Sequence, residues 1–297
     1  MIEFTKVKLT DKALFNRFTS NYINSESSFA NIMMWNNQYN AEYAIFDNAL
    51  IMKYCHPDGS VAFSMPYTDG TDLISPTLAL LEYCKYNNIE CKTVDGNKKF
   101  IDAISQCDKI NIEYNQIRDY QEYVYLSESL ANLSGKDLHS KKNHVNKFKS
   151  LYNYKYINID KSIIPMCIEK SHQWLYQKYK GNTNAFANEY ISIRRAFDNF
   201  EYFGLFGGAI FVDDNLVAYT VGERLTQDTA LVHIEKADIK YAGSFATINY
   251  EFSNVLNKSF KYINREEDMG IIGLRKSKMS YKPIFLTDKY KCIITEV

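Results

Sequence analysis

Short apolar runs alternate with turn residues and longer periodic stretches along this chain. Ala41 to Phe46 and Ala49 to Tyr54 flank Asp47-Asn48, two residues that tolerate left-handed dihedrals, so the pattern predicts a β-hairpin. Val61 to Met65 reads as the next strand, ended by Pro66, Asp69 and Gly70. Thr71 or Asp72 can cap a helix running to about Tyr86, with Leu73, Leu80 and Leu81 on one side. Ile89 to Val94 predicts a strand, Asn97 to Cys107 a helix and Tyr123 to Leu126 a further strand.

The second half repeats this order. Gly207 to Val212 and Leu216 to Gly222 flank Asp213-Asp214-Asn215, and Thr229 to Glu235 follows as a strand. Tyr241 to Leu256 then predicts a helix, Phe260 to Asn264 a strand, Gly273 to Tyr281 a helix and Tyr290 to Glu296 a closing strand. The recurrence points to two copies of one mixed α/β unit, although hairpin, strand, helix and strand is also a common succession. Between them lies a helical insert. Ser134 can cap a helix to about Tyr152 that sets Leu138, Val145, Phe148 and Tyr152 near one face; Tyr154 to Ile159 predicts a strand, and Ile163 to Tyr179 and Asn184 to Phe200 predict helices. The expected lobes are therefore residues 1–126 and 127–297, the second holding the insert and the candidate chemistry.

Composition narrows the partners. The 297 residues carry 35 basic and 35 acidic side chains and are 46% hydrophobic, which excludes intrinsic disorder and a generally basic coat. An anionic partner must then be met by a local patch. The longest uncharged apolar stretch, Phe203 to Val212, is interrupted by glycines and is half the ~20 residues a membrane span needs. With an acid at position 3 and no apolar h-region at the N-terminus, a cytoplasmic protein is expected. The six cysteines form no CxxC and no zinc-site spacing, so free thiols and no metal are expected.

Four segments concentrate polar chemistry. Lys136 to Lys149 holds five lysines, two histidines and one acid, and Lys136, Lys141, Lys142 and His144 lie off its apolar stripe, where they can meet an anion or form a solvated face. In Thr229 to Glu235, period two places His233 and Glu235 on one side about 7 Å apart. Such a pair can accept a proton from an attacking amine, or be a polar strand end pairing with Lys236. Lys240-Tyr-Ala-Gly-Ser244 opens a helix directly after a strand, so the N–H groups at Gly243 and Ser244 can bind an anion. Finally, Asn264-Arg-Glu-Glu-Asp268 leaves a strand, and the helix after it carries Arg275, Lys278 and Tyr281.

Ser134 to Phe148, His233-Ile-Glu-Lys-Ala-Asp238 and the Tyr262 to Pro283 run together resemble soluble bacterial proteins related to the C-terminal domain of phosphatidylglycerol lysyltransferases. The resemblance covers nearly the whole chain. It implies tandem GNAT-type acyltransferase folds, similar in architecture to Fem-type peptidyltransferases that use aminoacyl-tRNA. It also implies an enzyme that moves an acyl or aminoacyl group from coenzyme A or aminoacyl-tRNA to an amine or hydroxyl. In that reading Glu235 or His233 takes the acceptor proton, Tyr281 protonates the leaving group, and Gly243, Ser244, Lys136, Lys141 or Arg275 meet donor phosphates. Glu267 and Asp268 would hold a cationic amino acid, and Asn143, Lys236, Asn264, Arg265 and Lys278 complete the expected substrate-binding set. Lys240 to Phe245 matches the pyrophosphate loop of acyl-CoA acetyltransferases only in part, because Phe245 stands where a small residue is usual. The alternative is a non-catalytic module that binds an anionic metabolite or tRNA. The N-terminal lobe shows no counterpart of the His233/Glu235 strand, and Met33, Met34 and Trp35 there read as core.

Overall fold

The computed structural model describes residues 2–70 and 72–297, so the expected cap at Thr71 lies outside the described residues. The chain divides into two compact units, one of Met1–Tyr22, Glu26–Gln121 and Thr287–Val297, the other of Ile23–Ser25 and Glu122–Leu286. In the first unit the elements are β1 (Thr5–Lys6), α1 (Lys12–Thr19), α2 (Phe29–Tyr39), β2 (Glu42–Phe46), β3 (Ala49–Cys55), β4 (Val61–Phe63), β5 (Tyr67–Thr68), α3 (Ile74–Tyr86), β6 (Lys92–Gly96), α4 (Lys98–Ile104) and β7 (Ile110–Gln116). The second unit contains β8 (Tyr123–Leu126), α5 (Ser127–Asn132), α6 (His139–Leu151), β9 (Tyr154–Asn158), α7 (Ile164–Lys178), α8 (Thr183–Asp198), α9 (Phe200–Phe203), β10 (Phe206–Val212), β11 (Asn215–Arg224), β12 (Thr229–Ala237), α10 (Ser244–Leu256), β13 (Tyr262–Asn264), α11 (Ile272–Met279) and β14 (Phe285–Leu286). The last strand, β15 (Tyr290–Glu296), returns to the first.

Both hairpins turn where the sequence pattern places them, with Asp47, Asn48, Asp213 and Asp214 all at positive φ. Asp72 accepts hydrogen bonds from the Ile74 and Ser75 N–H groups, and Asn97 caps α4. Each unit builds one mixed sheet with the same sequence of connections: an antiparallel hairpin, a third strand, a crossover helix and a parallel partner. Orders are β1-β2-β3-β4-β6-β15-β7 and β14-β8-β13-β12-β11-β10-β9.

The partition differs from a cut at 126/127 for a topological reason. β8 inserts between β13 and β14, and β15 inserts between β6 and β7, so the strand that follows each copy completes the other copy's sheet. β15, expected to close the second lobe, therefore belongs to the first. Residue patterning does not forbid this, since Tyr123, Val124 and Tyr125 are buried and suit any central position.

In the second unit α10 is the central helix. Its Ala246, Ile248, Phe252 and Leu256 are buried against the sheet and against α5 and α6, and Val145 and Phe148 of α6, with Leu138 just before it, form most of the expected stripe. Helices α7 and α8 cover the opposite face, where Trp174 stacks on Tyr219 and Glu189 meets Lys236. No helix among the described residues is long and apolar enough to cross a membrane.

Candidate active site

The parallel strands β12 and β13 pair only at Thr229, Ala230 and Leu231 with Tyr262, Ile263 and Asn264. Beyond that point the chain parts from β12, which continues to Ala237, while Arg265 and Glu266 still exchange backbone hydrogen bonds with Tyr123 of β8. Glu235 and Arg265 meet where the two segments part. Arg265 Nη2 donates to both Glu235 oxygens at 2.9 and 3.0 Å, and Asn249 of α10 lies 3.4 Å from Glu235 Oε2 through its amide nitrogen. The guanidinium sits 5.0 Å from the ring centre of Tyr281 and 5.8 Å from that of Tyr125. Lys141, in the first turn of α6, places its ammonium 4.3 Å from the Tyr281 ring centre. Two atoms here, Arg265 Nη1 and Asn249 Oδ1, are buried and have no hydrogen-bond partner among the described residues. Such orphans each cost about 1–3 kcal/mol and call for a role.

The electrostatics follow from this arrangement. Burial pushes the Tyr281 hydroxyl up to about 12, the nearby Arg265 charge opposes that, and Glu235 adds to it; the phenol keeps its proton at neutral pH. Burial and then the Arg265 charge lower the Lys141 pKa, against the pull of Glu235.

His233 does not act as a base in this geometry. Opposite Val221 stands Ile234 and opposite Gly222 stands Val232, so His233 is an extra residue at a β-bulge, and the two-residue alternation expected from the sequence is interrupted there. Gly222 permits the bulge, because a Cβ would come within 2.4 Å of the Leu231 carbonyl oxygen. The ring is 1% exposed, with Nδ1 2.9 Å from Glu266 and Nε2 3.0 Å from Glu223. Burial alone would lower its pKa, but the two carboxylates raise it to about 10. With both nitrogens donating, the imidazolium has no lone pair to accept a proton.

Several other expected site residues shape the loop after β13 instead of facing a ligand. Asn264 donates to Glu122 and to the Ile23 carbonyl and accepts from the Glu266 N–H. Asp268, fully buried, accepts from Arg275 at 2.8 and 2.9 Å, from Tyr123 and from the Gly270 N–H. Burial opposes its ionisation, yet the Arg275 and Tyr123 hydrogen bonds hold it well below the usual carboxylate range, so its charge is already satisfied and it does not stand open for a cationic amino acid. Lys278 donates to the backbone carbonyls of Arg265, Glu266 and Glu267, fixing the turn that presents the guanidinium. Lys236 points through the other face of the sheet to Glu189. Lys136 and Asn143 are solvent-exposed, and Glu267 enters this network through its carbonyl.

The start of α10 is satisfied in part from within. The Ser244 N–H donates to the Tyr241 carbonyl and its hydroxyl to the Asp238 carbonyl, while the Ala242 N–H is 3.3 Å from the Tyr152 hydroxyl. At Gly243, φ is +92° and the His144 carbonyl oxygen lies 2.4 Å from where a Cβ would be, so the body of α6 packs onto the helix start. Of the two N–H groups expected to meet an anion, that of Ser244 is spent on Tyr241, and the side chain of Phe245 is exposed beside it.

The structure thus brings together Glu235, Arg265, Tyr281 and Lys141 from the residues singled out by sequence. It adds Asn249 and Tyr125, which sequence reasoning missed. Asn249 left one signal, the one amide among the buried residues of α10. In the first unit, Asp95 on β6 is also buried, accepting from Tyr67 and the Met65 N–H, and burial raises it to about 6.

The family described as phosphatidylglycerol lysyltransferase, C-terminal, matches residues 17–293. The crystal structure of a conserved protein of unknown function from Bacteroides thetaiotaomicron superimposes with a TM-score of 0.92 at 33% identity, over 99% of this chain and 100% of that one. The C-terminal domain of a putative lysylphosphatidylglycerol synthetase from Agrobacterium fabrum gives a TM-score of 0.66 at 10% identity, over 96% and 92%, a likeness of fold. An uncharacterized protein of Mycoplasmoides gallisepticum is 25% identical over 170 residues, which are 57% of this chain. The match spans 54% of that curated relative, about half its length. The two mixed sheets each hold a hairpin, a crossover helix and a parallel pair, one unit built twice.

Proposed function

The chain belongs to the phosphatidylglycerol lysyltransferase C-terminal family, and from that premise we propose that it transfers an aminoacyl group from an activated ester, carried on tRNA, to an amine or hydroxyl acceptor. The observation that carries this reading is the pair of orphan atoms on the two residues that hold Glu235. Arg265 Nη1 is a donor suited to the oxygen of an ester carbonyl, and Asn249 Oδ1 is an acceptor suited to an attacking amine. The Ser244 N–H spent on Tyr241 and the bulky Phe245 beside it favour an aminoacyl ester over an acyl-coenzyme A donor.

In this reading the acceptor nitrogen attacks the ester carbon, forming the new C–N bond while the guanidinium stabilises the developing oxyanion. The nitrogen becomes acidic as it attacks, and Glu235 takes its proton. The C–O bond to the ribose then breaks, and the leaving oxygen receives a proton from the Tyr281 hydroxyl, which recovers one from Glu235 through solvent. A hydroxyl acceptor follows the same proton path.

Glu235→Gln tests the assignment, since it keeps the shape and removes the base. Transfer from labelled aminoacyl-tRNA to a panel of amines and hydroxyl compounds is expected to fall by about 10²–10⁴-fold with an unchanged melting profile. Full turnover in that variant eliminates Glu235 as the base. Stoichiometric binding of the aminoacyl-tRNA by the parent protein, with no product for any acceptor, favours a binding module instead.

A further inference from the structure

Helix α6 sends lysines to two places. Lys141 reaches the Tyr281 ring beside Arg265, whereas Lys142 lines a cavity bounded by α5, α6 and α10. That cavity encloses about 140 Å³, and its polar wall is made by Lys142, Lys149, Asn132, Asn146, Asn254 and Tyr250. It is several times the roughly 10–15 Å³ that one water requires, so it admits a small polyatomic group. Two ammonium groups and no carboxylate line it.

The hydrogen-bonding state of the lining decides what the group is. Asn254 uses its amide nitrogen on the Ala131 and Tyr250 carbonyls, which fixes the wall between α5 and α10. Lys149 is 3.4 Å from Glu251 and lies 4.5 Å from the Tyr250 ring centre, so its position is set from two sides. The side chains of Lys142, Asn132 and Asn146 have no partner among the described residues. Lysine ammonium and amide N–H donors arriving from different helices suit a tetrahedral oxyanion, which offers oxygens in several directions, better than a planar carboxylate. The surrounding segment, with five lysines and two histidines against Asp137, adds positive field. Asp137 itself lies 3.6 Å from Lys282.

We propose that this cavity is a phosphate-binding site that holds one phosphate group of an RNA strand or of a smaller phosphate ester. Only the RNA source rests on the aminoacyl-transfer reading; the cavity and its chemistry do not. Lys142 and Asn146 are exposed on α6 and distant in role from the Glu235 cluster, so substitutions there leave the core intact.

The test uses the full chain and two separate titrations, inorganic phosphate against chloride at matched ionic strength, and a short fluorescent RNA hairpin. Lys142→Glu and Asn146→Asp, checked for native circular dichroism, are each expected to weaken phosphate binding about tenfold or more. A parallel loss of RNA affinity assigns the site to an RNA phosphate; loss for inorganic phosphate with RNA binding unchanged assigns it to a small ester. Phosphate binding no stronger than chloride, or unchanged in both variants, overturns the proposal. Because Glu235→Gln is scored by turnover, the transfer reading and the cavity stand or fall on different measurements.

Discussion

Replacing His233 with Gln should remove both a buried charge and a specific pH dependence of stability. The imidazolium bridges Glu223 and Glu266 at 3.0 and 2.9 Å with 1% of its side chain exposed. Gln keeps hydrogen-bonding atoms but leaves two carboxylates without their cation, and breaking a buried pair in this way costs about 3–5 kcal/mol. The proton linkage gives an independent figure. With the folded-state value raised to about 10 from 6.5, the folded state binds one more proton than the unfolded state between these limits. The stabilisation is therefore complete below about pH 6.5 and is lost as pH rises through about 10, at ~1.4 kcal/mol per pH unit. Between pH 7 and pH 9 the parent should lose about 3 kcal/mol that His233→Gln does not lose, a difference of roughly 6–12 °C in melting temperature for a unit of this size. Thermal or urea unfolding of the second unit, followed for both proteins across that range, measures it. Parallel stability curves would refute the charged imidazole and reopen His233 as a proton acceptor.

Gly222→Ala forces a Cβ to within 2.4 Å of the Leu231 carbonyl oxygen and should cost about 1–3 kcal/mol by urea unfolding; an unchanged midpoint would mean the bulge tolerates a side chain. Glu189→Gln strips the counter-charge from the largely buried Lys236 and should cost on the order of 3 kcal/mol at neutral pH. Burial opposes ionisation of Glu189, but Lys236 and Tyr179 lower it to about 2, so its contribution is present above about pH 4.5 and is lost as pH falls towards 2. A variant matching the parent in both the neutral-pH and acid unfolding profiles would contradict the pairing.

Patterning determined much of this molecule without tertiary information. Both hairpins were legible because left-handed turn residues must sit between two apolar runs, and α6 was legible because Leu138, Val145 and Phe148 recur at helical spacing. Glu235, Arg265, Lys141 and Tyr281 were recognisable as unusual chemistry at element ends. Their mutual contact was not, because it depends on where β12 and β13 stop pairing, and strand pairing is a long-range property. The exchange of β8 and β15 between sheets was hidden for the same reason, since a buried apolar strand fits either sheet.

Local sequence also could not reveal which polar groups were already satisfied. Period-two reasoning put His233 beside Glu235, but the bulge and two distant carboxylates turned it into a locked cation. Gly243-Ser244 had the residue types of an anion site, but the Ser244 N–H is spent on the Tyr241 carbonyl, and the His144 carbonyl, brought from α6, packs against Gly243. The sequence by itself set the elements, the repeat and the inventory of reactive side chains, because these follow from local dihedral preference and hydrophobic period. Only the tertiary structure decided which of those side chains remain open to a ligand, because hydrogen-bond saturation and desolvation are set by neighbours far away along the chain.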